Sequence, residues 1–144
     1  MKLFFKIAIL LFITSVINVG CESNQQSNKV SDSSVSQIKQ GEVQALTPSE
    51  FKEKSVNQTI IDIRTPYEFK QGYIKGAVNI NYYSRNFLEN FTNYDKNTPI
   101  FVYCRSGSRT SSAAKKLAKA GFQKVYDLRG GIMNWARNNN QIEK

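Results

Sequence analysis

The stretch Pro99-Ile100-Phe101-Val102-Tyr103-Cys104-Arg105-Ser106-Gly107-Ser108-Arg109-Thr110 decides how the rest of this chain is read. Its first half is a near-continuous apolar run, the pattern of a strand covered on both faces. A polar loop with one glycine follows. From Ser111 to Ala120 the residues Ala113, Ala114, Leu117 and Ala118 recur at helical spacing, and Gly121 supplies a stop. Strand, tight loop and helix bring Cys104 to a place where backbone N–H groups and the positive end of a helix converge, which is a setting for an anion. Arg105 and Arg109 add positive charge beside the sulfur, the environment that favours thiolate over thiol and makes a cysteine nucleophilic. The competing reading, a core cysteine closing a hydrophobic strand, suits an isolated Cys. The Arg-Ser-Gly-Ser-Arg flank turns the balance toward the nucleophile.

Outward from this stretch the chain alternates strand and helix signals. Glu42 to Leu46 reads as a first strand, and Thr47-Pro48-Ser49-Glu50 is a capping box with proline at the first helical position, predicting a helix toward Lys54. Thr59 to Ile63 is a second strand, broken by Arg64-Thr65-Pro66-Tyr67-Glu68, which starts a helical turn. Ala77 to Ile80 reads as a third strand and Arg85 to Phe91 as a helix. Ile100 to Tyr103 is the fourth strand and Lys124 to Leu128 the fifth, and Gly130-Gly131 turn into a last helix carrying Ile132 and Trp135. Such alternation predicts an α/β fold, a five-stranded parallel sheet with helices on both faces. Ligands of such sheets sit beyond the carboxyl ends of the strands, where Cys104 lies.

Composition narrows the chemistry. The 144 residues contain 20 Lys plus Arg against 11 Asp plus Glu, a formal charge of +9. That balance suits small anionic substrates or an anionic surface. Nucleic acid is disfavoured as a partner, because the basic residues are scattered and no recognised binding motif occurs. The chain has no histidine, which removes Ser-His and Cys-His catalysis and the common zinc signatures; no metal and no cofactor is expected. Any activation of Cys104 must come from electrostatics.

The first residues read as a leader. Lys2 and Lys6 precede a mostly apolar run from Ile7 to Ile17, too short for a comfortable membrane span and right for a secretory signal. Asn18-Val19-Gly20-Cys21 resembles the lipobox of bacterial lipoproteins, with Asn18 where that pattern usually carries Leu. We therefore expect residues 1–20 to be a signal peptide of the lipoprotein type, Cys21 to carry lipid, and the protein to be held by a lipid anchor at the extracytoplasmic face of a bacterial envelope membrane. Ordinary secretion with cleavage near Gly20 is the alternative. Residues 21–40 are Ser, Asn, Gln, Lys and Asp with hardly an aliphatic side chain, the composition of a flexible tether. With Cys21 lipidated, Cys104 is the only thiol left, so no disulfide framework is expected.

Four stretches together resemble the single-domain rhodaneses, a family of sulfurtransferases: Asp62-Ile63-Arg64 with Glu68; Gly72 to Ile80; the loop Cys104 to Arg109; and Leu128-Arg129-Gly130-Gly131 with Trp135. The resemblance defines residues 41–140 as a rhodanese-like domain. It implies that the Cys104 thiolate takes the sulfane sulfur of a small anionic donor such as thiosulfate and passes it to a thiophilic acceptor, cyanide or a thiol. Within that reading Arg105, Ser106, Gly107, Ser108 and Arg109 form the substrate-binding loop. The two arginines hold the donor's sulfonate, Gly107 allows the tight turn, and Ser106 and Ser108 either donate to the donor's oxygens or are loop residues.

Other residues are candidates for pocket or scaffold. Asp62, Arg64, Glu68 and Arg129 are the charged ones, and an Arg64–Glu68 ion pair pinning the strand-to-helix turn is the preferred structural reading of the first three. Trp135 is expected in the core with its N–H satisfied locally. Tyr82 and Tyr83 either rim the site or lie on the surface. Two other functions compete. A Cys-dependent phosphatase or arsenate reductase would typically use a longer C-x5-R loop, whereas Cys104 to Arg109 is C-x4-R. A persulfide carrier or partner-docking module without small-donor turnover would use the same loop.

Overall fold

The computed structural model describes residues 40–144. The leader, Cys21 and all but the last residue of the tether lie outside the described residues. Five parallel strands make the sheet: β1 (Glu42–Leu46), β2 (Thr59–Asp62), β3 (Val78–Asn79), β4 (Ile100–Tyr103) and β5 (Lys124–Leu128), in the order β1-β5-β4-β2-β3. Between and after them run α1 (Pro48–Lys54), α2 (Pro66–Lys70), α3 (Ser108–Lys119) and α4 (Gly131–Arg137). The α/β architecture expected from the sequence is the one observed.

Each face of the sheet has its own core. Alternation along the strands divides their side chains, so that Ile61, Ile100, Val102 and Val125 meet Ala113, Ala114 and Leu117 of α3. Ile60, Phe101, Tyr103 and Leu128 meet Phe51 of α1 and Ile132 and Trp135 of α4 on the other side. All four residues of β4 are buried, which is why that strand reads as an uninterrupted apolar run. The Trp135 indole N–H donates to the Gln141 carbonyl at 3.0 Å, a local partner as expected.

Two expectations need correction. The helix predicted from Arg85 to Phe91 is reduced to one 3-10 turn, Glu89–Phe91. Successive i to i+3 bonds hold this segment instead, including Phe87 N–H to Ser84 O and Thr92 N–H to Glu89 O, while Phe87 and Phe91 turn inward to the core. The third strand shrinks to Val78–Asn79. In addition, α3 starts at Ser108, three residues before the apolar periodicity begins, because Gly107 takes a left-handed conformation (φ 95°) and turns the chain directly into the helix.

The strand order fixes where a site can form. β2 connects onward to its neighbour β3, and β4 connects onward to its neighbour β5 on the opposite side. The loops leaving β2 and β4 therefore flank the point where the sheet's connections diverge, the usual crevice for ligands in open α/β sheets.

Candidate active site

Cys104 follows the last residue of β4 and is fully buried beneath its own loop. Its Sγ accepts the Gly107 N–H at 3.1 Å. The Thr110 hydroxyl lies 3.8 Å from the same sulfur and donates to the Gly107 carbonyl at 2.9 Å. The first turn of α3, whose N–H groups have no intrahelical partner, begins beside it. Thr110 was not among the residues singled out from the sequence. Its signal was its place, one residue past the loop in the first helical turn.

The loop is oriented from behind by α4. The carbonyls of Cys104 and Arg105 accept the N–H groups of Ile132 and Met133 at 2.9 and 3.1 Å. Because a trans peptide sets C=O and the next N–H on opposite sides, these bonds turn the Arg105 and Ser106 N–H groups away from α4. Gly131 makes the approach possible: a Cβ there would collide with the Cys104 carbonyl oxygen and come within 2.6 Å of the Arg105 carbonyl. The twin glycine thus shapes the cysteine loop as well as its own turn.

The charged candidates separate into two pairs, neither of them the expected Arg64–Glu68 pair. Arg64 is buried and grips Asp62, with Nη2 to Oδ2 at 2.6 Å and Nε to Oδ2 at 2.8 Å; Nη2 also donates to the Gly72 carbonyl. Extended backbone puts residues 62 and 64 on one side of the strand, which favours this i, i+2 pair over a partner one helical turn away. Asp62 is fully buried and its pair sits against the Tyr103 ring. This is scaffold. Burial pushes the Tyr103 hydroxyl well above the usual phenol range, so it stays neutral and accepts the Ile74 N–H.

Glu68 pairs instead with Arg109 of the cysteine loop. Both guanidinium Nη atoms reach the carboxylate, at 2.8 and 2.7 Å. Glu68 Oε2 also caps α2 by accepting the Thr65 N–H and hydroxyl. The Arg109 bonds pull the Glu68 pKa down to about 2, outweighing the cost of its partial burial, and Glu68 in turn raises Arg109 further above its ordinary value. The fork of Arg109 is therefore occupied by Glu68, with the exposed Tyr83 ring 5.8 Å from it. Tyr82 packs partly buried on the core.

Arg105, Ser106 and Ser108 are exposed on the loop, and the two serine hydroxyls lie 3.4 Å apart. Arg105 borders a groove of about 440 Å³ also lined by Arg64, Tyr67, Glu68, Met133 and Ile142. Arg129 is not brought to the loop: its side chain reaches the Ala45 carbonyl of β1 at 3.5 Å. Among the described residues no three His, Cys, Asp or Glu side chains cluster as a metal site would require.

Comparison with known proteins agrees with this geometry. The rhodanese-like domain matches residues 47–138. The thiosulfate sulfurtransferase GlpE of Shewanella oneidensis is 36% identical over 97 residues, covering 60% of this chain and 94% of that protein. The tRNA uridine(34) hydroxylase of Pelagibacter ubique is 36% identical over 80 residues, covering 55% of this chain and 27% of that protein. Among solved structures, a rhodanese-related protein from Thermoplasma volcanium shares the fold with a TM-score of 0.63 at 23% identity, over 69% of this chain and 97% of the other. With its sheet order, its buried Cys104 and a domain match spanning most of the described residues, the chain belongs to the rhodanese-like family.

Proposed function

We propose that this protein is a sulfurtransferase that moves sulfane sulfur from thiosulfate or a related donor through a Cys104 persulfide to cyanide or a thiol. The observation that carries the reading is the Cys104 sulfur held by the Gly107 N–H inside a C-x4-R loop at the N-terminus of α3. In the first step the thiolate attacks the outer sulfur of thiosulfate. An S–S bond to Cys104 forms, the donor's own S–S bond breaks, and sulfite leaves with its electron pair. In the second step cyanide attacks the outer persulfide sulfur, thiocyanate departs and the thiolate returns.

Loop N–H groups are preorganised for the anionic sulfur, the kind of arrangement that usually contributes most to catalysis. Arg109 holds the loop against Glu68, and the sulfonate's cation is Arg105, which makes no ion pair among the described residues. The likeness to GlpE supports thiosulfate as donor. The likeness to a protein named for another reaction keeps a second reading, a persulfide carrier without small-donor turnover. The short loop weighs against a phosphatase.

Incubation with thiosulfate should add one sulfur to Cys104 by mass spectrometry, release an equal amount of sulfite, and yield thiocyanate on addition of cyanide. None of this should occur in Cys104→Ser. Loading without thiocyanate supports the carrier reading. No loading, together with hydrolysis of an aryl phosphate lost in Cys104→Ser, would overturn both.

The basic, apolar leader and the Val19-Gly20-Cys21 junction support membrane attachment through lipid on Cys21 at the bacterial envelope. Labelled palmitate should enter the wild-type chain and not Cys21→Ala, which should leave the membrane fraction.

A further inference from the structure

The groove beside Arg105 is larger than cyanide requires. It holds about 440 Å³, room for on the order of ten heavy-atom groups at about 30 Å³ each, whereas cyanide is diatomic. Its walls border both ends of the cysteine loop: Arg105 follows Cys104 directly, and Glu68 is bonded to Arg109. On the α4 side stand Ile132 and Met133, the residues whose N–H groups hold the Cys104 and Arg105 carbonyls. Tyr67 of α2, Met133 and Ile142 are all exposed, so three large apolar side chains gather around one opening. Scattered singly such side chains need no explanation, but gathered beside a nucleophile they mark a contact surface. The far wall is preformed, because the backbone next to Ile142 is fixed by the Tyr73–Glu143 bridge, with N–H to O bonds of 2.9 Å in both directions. The charges on the walls leave one cation over. Arg64 is neutralised by Asp62 and Glu68 by Arg109, while Arg105 has no ion pair among the described residues.

We propose that this groove is the acceptor site of the sulfur transfer, and that the acceptor it selects is an organic thiol carrying both a carboxylate and an apolar body. This rests on the sulfurtransferase reading of Cys104 and names its second substrate. The two half-reactions use Arg105 in turn. Sulfite leaves after the first, which frees the guanidinium to receive the acceptor's carboxylate. The apolar body lies against Tyr67 and Met133, displacing water from surfaces that cyanide leaves wet. The acceptor's sulfur attacks the outer sulfur of the Cys104 persulfide. A new S–S bond forms, the bond from Cys104 to that sulfur breaks, and its electron pair returns to Cys104 as thiolate. The acceptor's proton passes to the transferred sulfur, giving the acceptor's persulfide, and no oxidant or reductant is consumed. Tyr67 and Met133 are thus specificity-determining side chains, and Arg105 serves both substrates.

Discharge of a preloaded persulfide tests the acceptor site apart from loading. The full chain is charged with thiosulfate, freed of excess donor and mixed with an acceptor, and loss of the added sulfur from Cys104 is timed by mass spectrometry. Mercaptoethanol is the neutral thiol, mercaptoacetate adds the carboxylate, para-mercaptomethylbenzoate adds the apolar ring, and cyanide is the reference. In the variant carrying Tyr67→Ser and Met133→Ser, the ratio of the mercaptomethylbenzoate rate to the cyanide rate should fall at least about tenfold, while the ratio for mercaptoethanol holds. In Arg105→Gln, loaded for longer to offset a weaker donor site, the ratio of mercaptoacetate to mercaptoethanol should fall about tenfold, the scale of one lost charge-assisted hydrogen bond. Arg105→Lys should recover part of it. A mercaptomethylbenzoate rate that falls no more than the cyanide rate, or an unchanged carboxylate ratio in Arg105→Gln, overturns the proposal. If the double variant fails to fold, Tyr67→Ser alone, at an exposed position, decides by the same ratio. A wild type that does not load with thiosulfate removes the sulfurtransferase reading and the acceptor site with it. One that loads, and is discharged with the same ratios as its variants, removes the acceptor site alone.

Discussion

Arg64 and Arg109 carry the same charge and do different work, and burial explains the difference. Arg64 and Asp62 are both taken out of water and satisfied by each other, by the Arg64 N–H to Asp62 Oδ1, and by the Gly72 carbonyl. Removing one partner of such a pair leaves the other charge buried and uncompensated. Arg64→Ala should therefore lose about 3–5 kcal/mol of folding stability, read as a denaturant midpoint shift, whereas Arg129→Ala, an exposed side chain on the β1 edge, should stay within about 0.5 kcal/mol of wild type. Equal losses would remove the distinction. Both arginines were visible in the sequence, but their partners were not equally so. The Asp62–Arg64 pair follows from strand alternation, while Glu68 and Arg109 are 41 residues apart and meet only because β2 lies beside β4. Glu68 was legible as an acid at the strand-to-helix turn, and neither its capping of Thr65 nor its bond to Arg109 was. Asp127 was hidden in the otherwise apolar run Val125 to Leu128, since sequence pattern alone does not tell that its carboxyl has an oxygen buried without a partner.

At the scale of elements, the strands and the cysteine loop were legible because their signals are local: apolar runs, a capping box and glycine stops. The capping box read at Thr47 and Glu50 forms, and a second one, Thr65 with Glu68, closes the turn read only as a helix start. The segment around Phe87 and Phe91 was misread because two aromatics at helical spacing also serve a chain of tight turns packed on a core. The support of the cysteine loop by α4 was not legible at all, because it consists of backbone hydrogen bonds between segments far apart in sequence. Glycine gives a way to test it. Gly76 and Gly131 both have positive φ, 77° and 60°, but a Cβ at Gly76 meets nothing within 4 Å, whereas one at Gly131 strikes the Cys104 and Arg105 carbonyls. Gly76→Ala should show only the left-handed penalty of about 1–2 kcal/mol and load sulfur at the wild-type rate. Gly131→Ala adds an overpacking cost of about 1–3 kcal/mol and should load sulfur at least tenfold more slowly, about 1.4 kcal/mol in the barrier. Equal loading rates in the two variants would show that α4 does not shape the loop.

For the whole molecule, strand and helix alternation announced a parallel sheet, while the order β1-β5-β4-β2-β3 rests on pairings that only the folded chain displays. That order brings two carboxyls with opposite shifts to the same end of the sheet, and their signs shape the stability of the domain against pH. Glu68 ionises at about 2 in the fold against an ordinary 4.5. Its contribution is therefore complete above pH 4.5 and is lost as the pH falls through about 2. Asp127 ionises at about 6 against an ordinary 3.8. Between those values the folded chain binds more protons at Asp127 than the unfolded chain, so stability falls as pH rises from 3.8 through 6, and the cost persists above. Two variants separate the effects in melting curves. Glu68→Gln should melt below wild type at pH 7, with the gap closing as the pH is lowered from 4.5 toward 2. Asp127→Asn should gain relative to wild type as the pH rises from 4 to 7, since an amide escapes the ionisation cost. A pH-independent difference for Asp127→Asn would show that its carboxyl does not titrate between those limits in the fold, and that its buried oxygen is satisfied by a partner such as water.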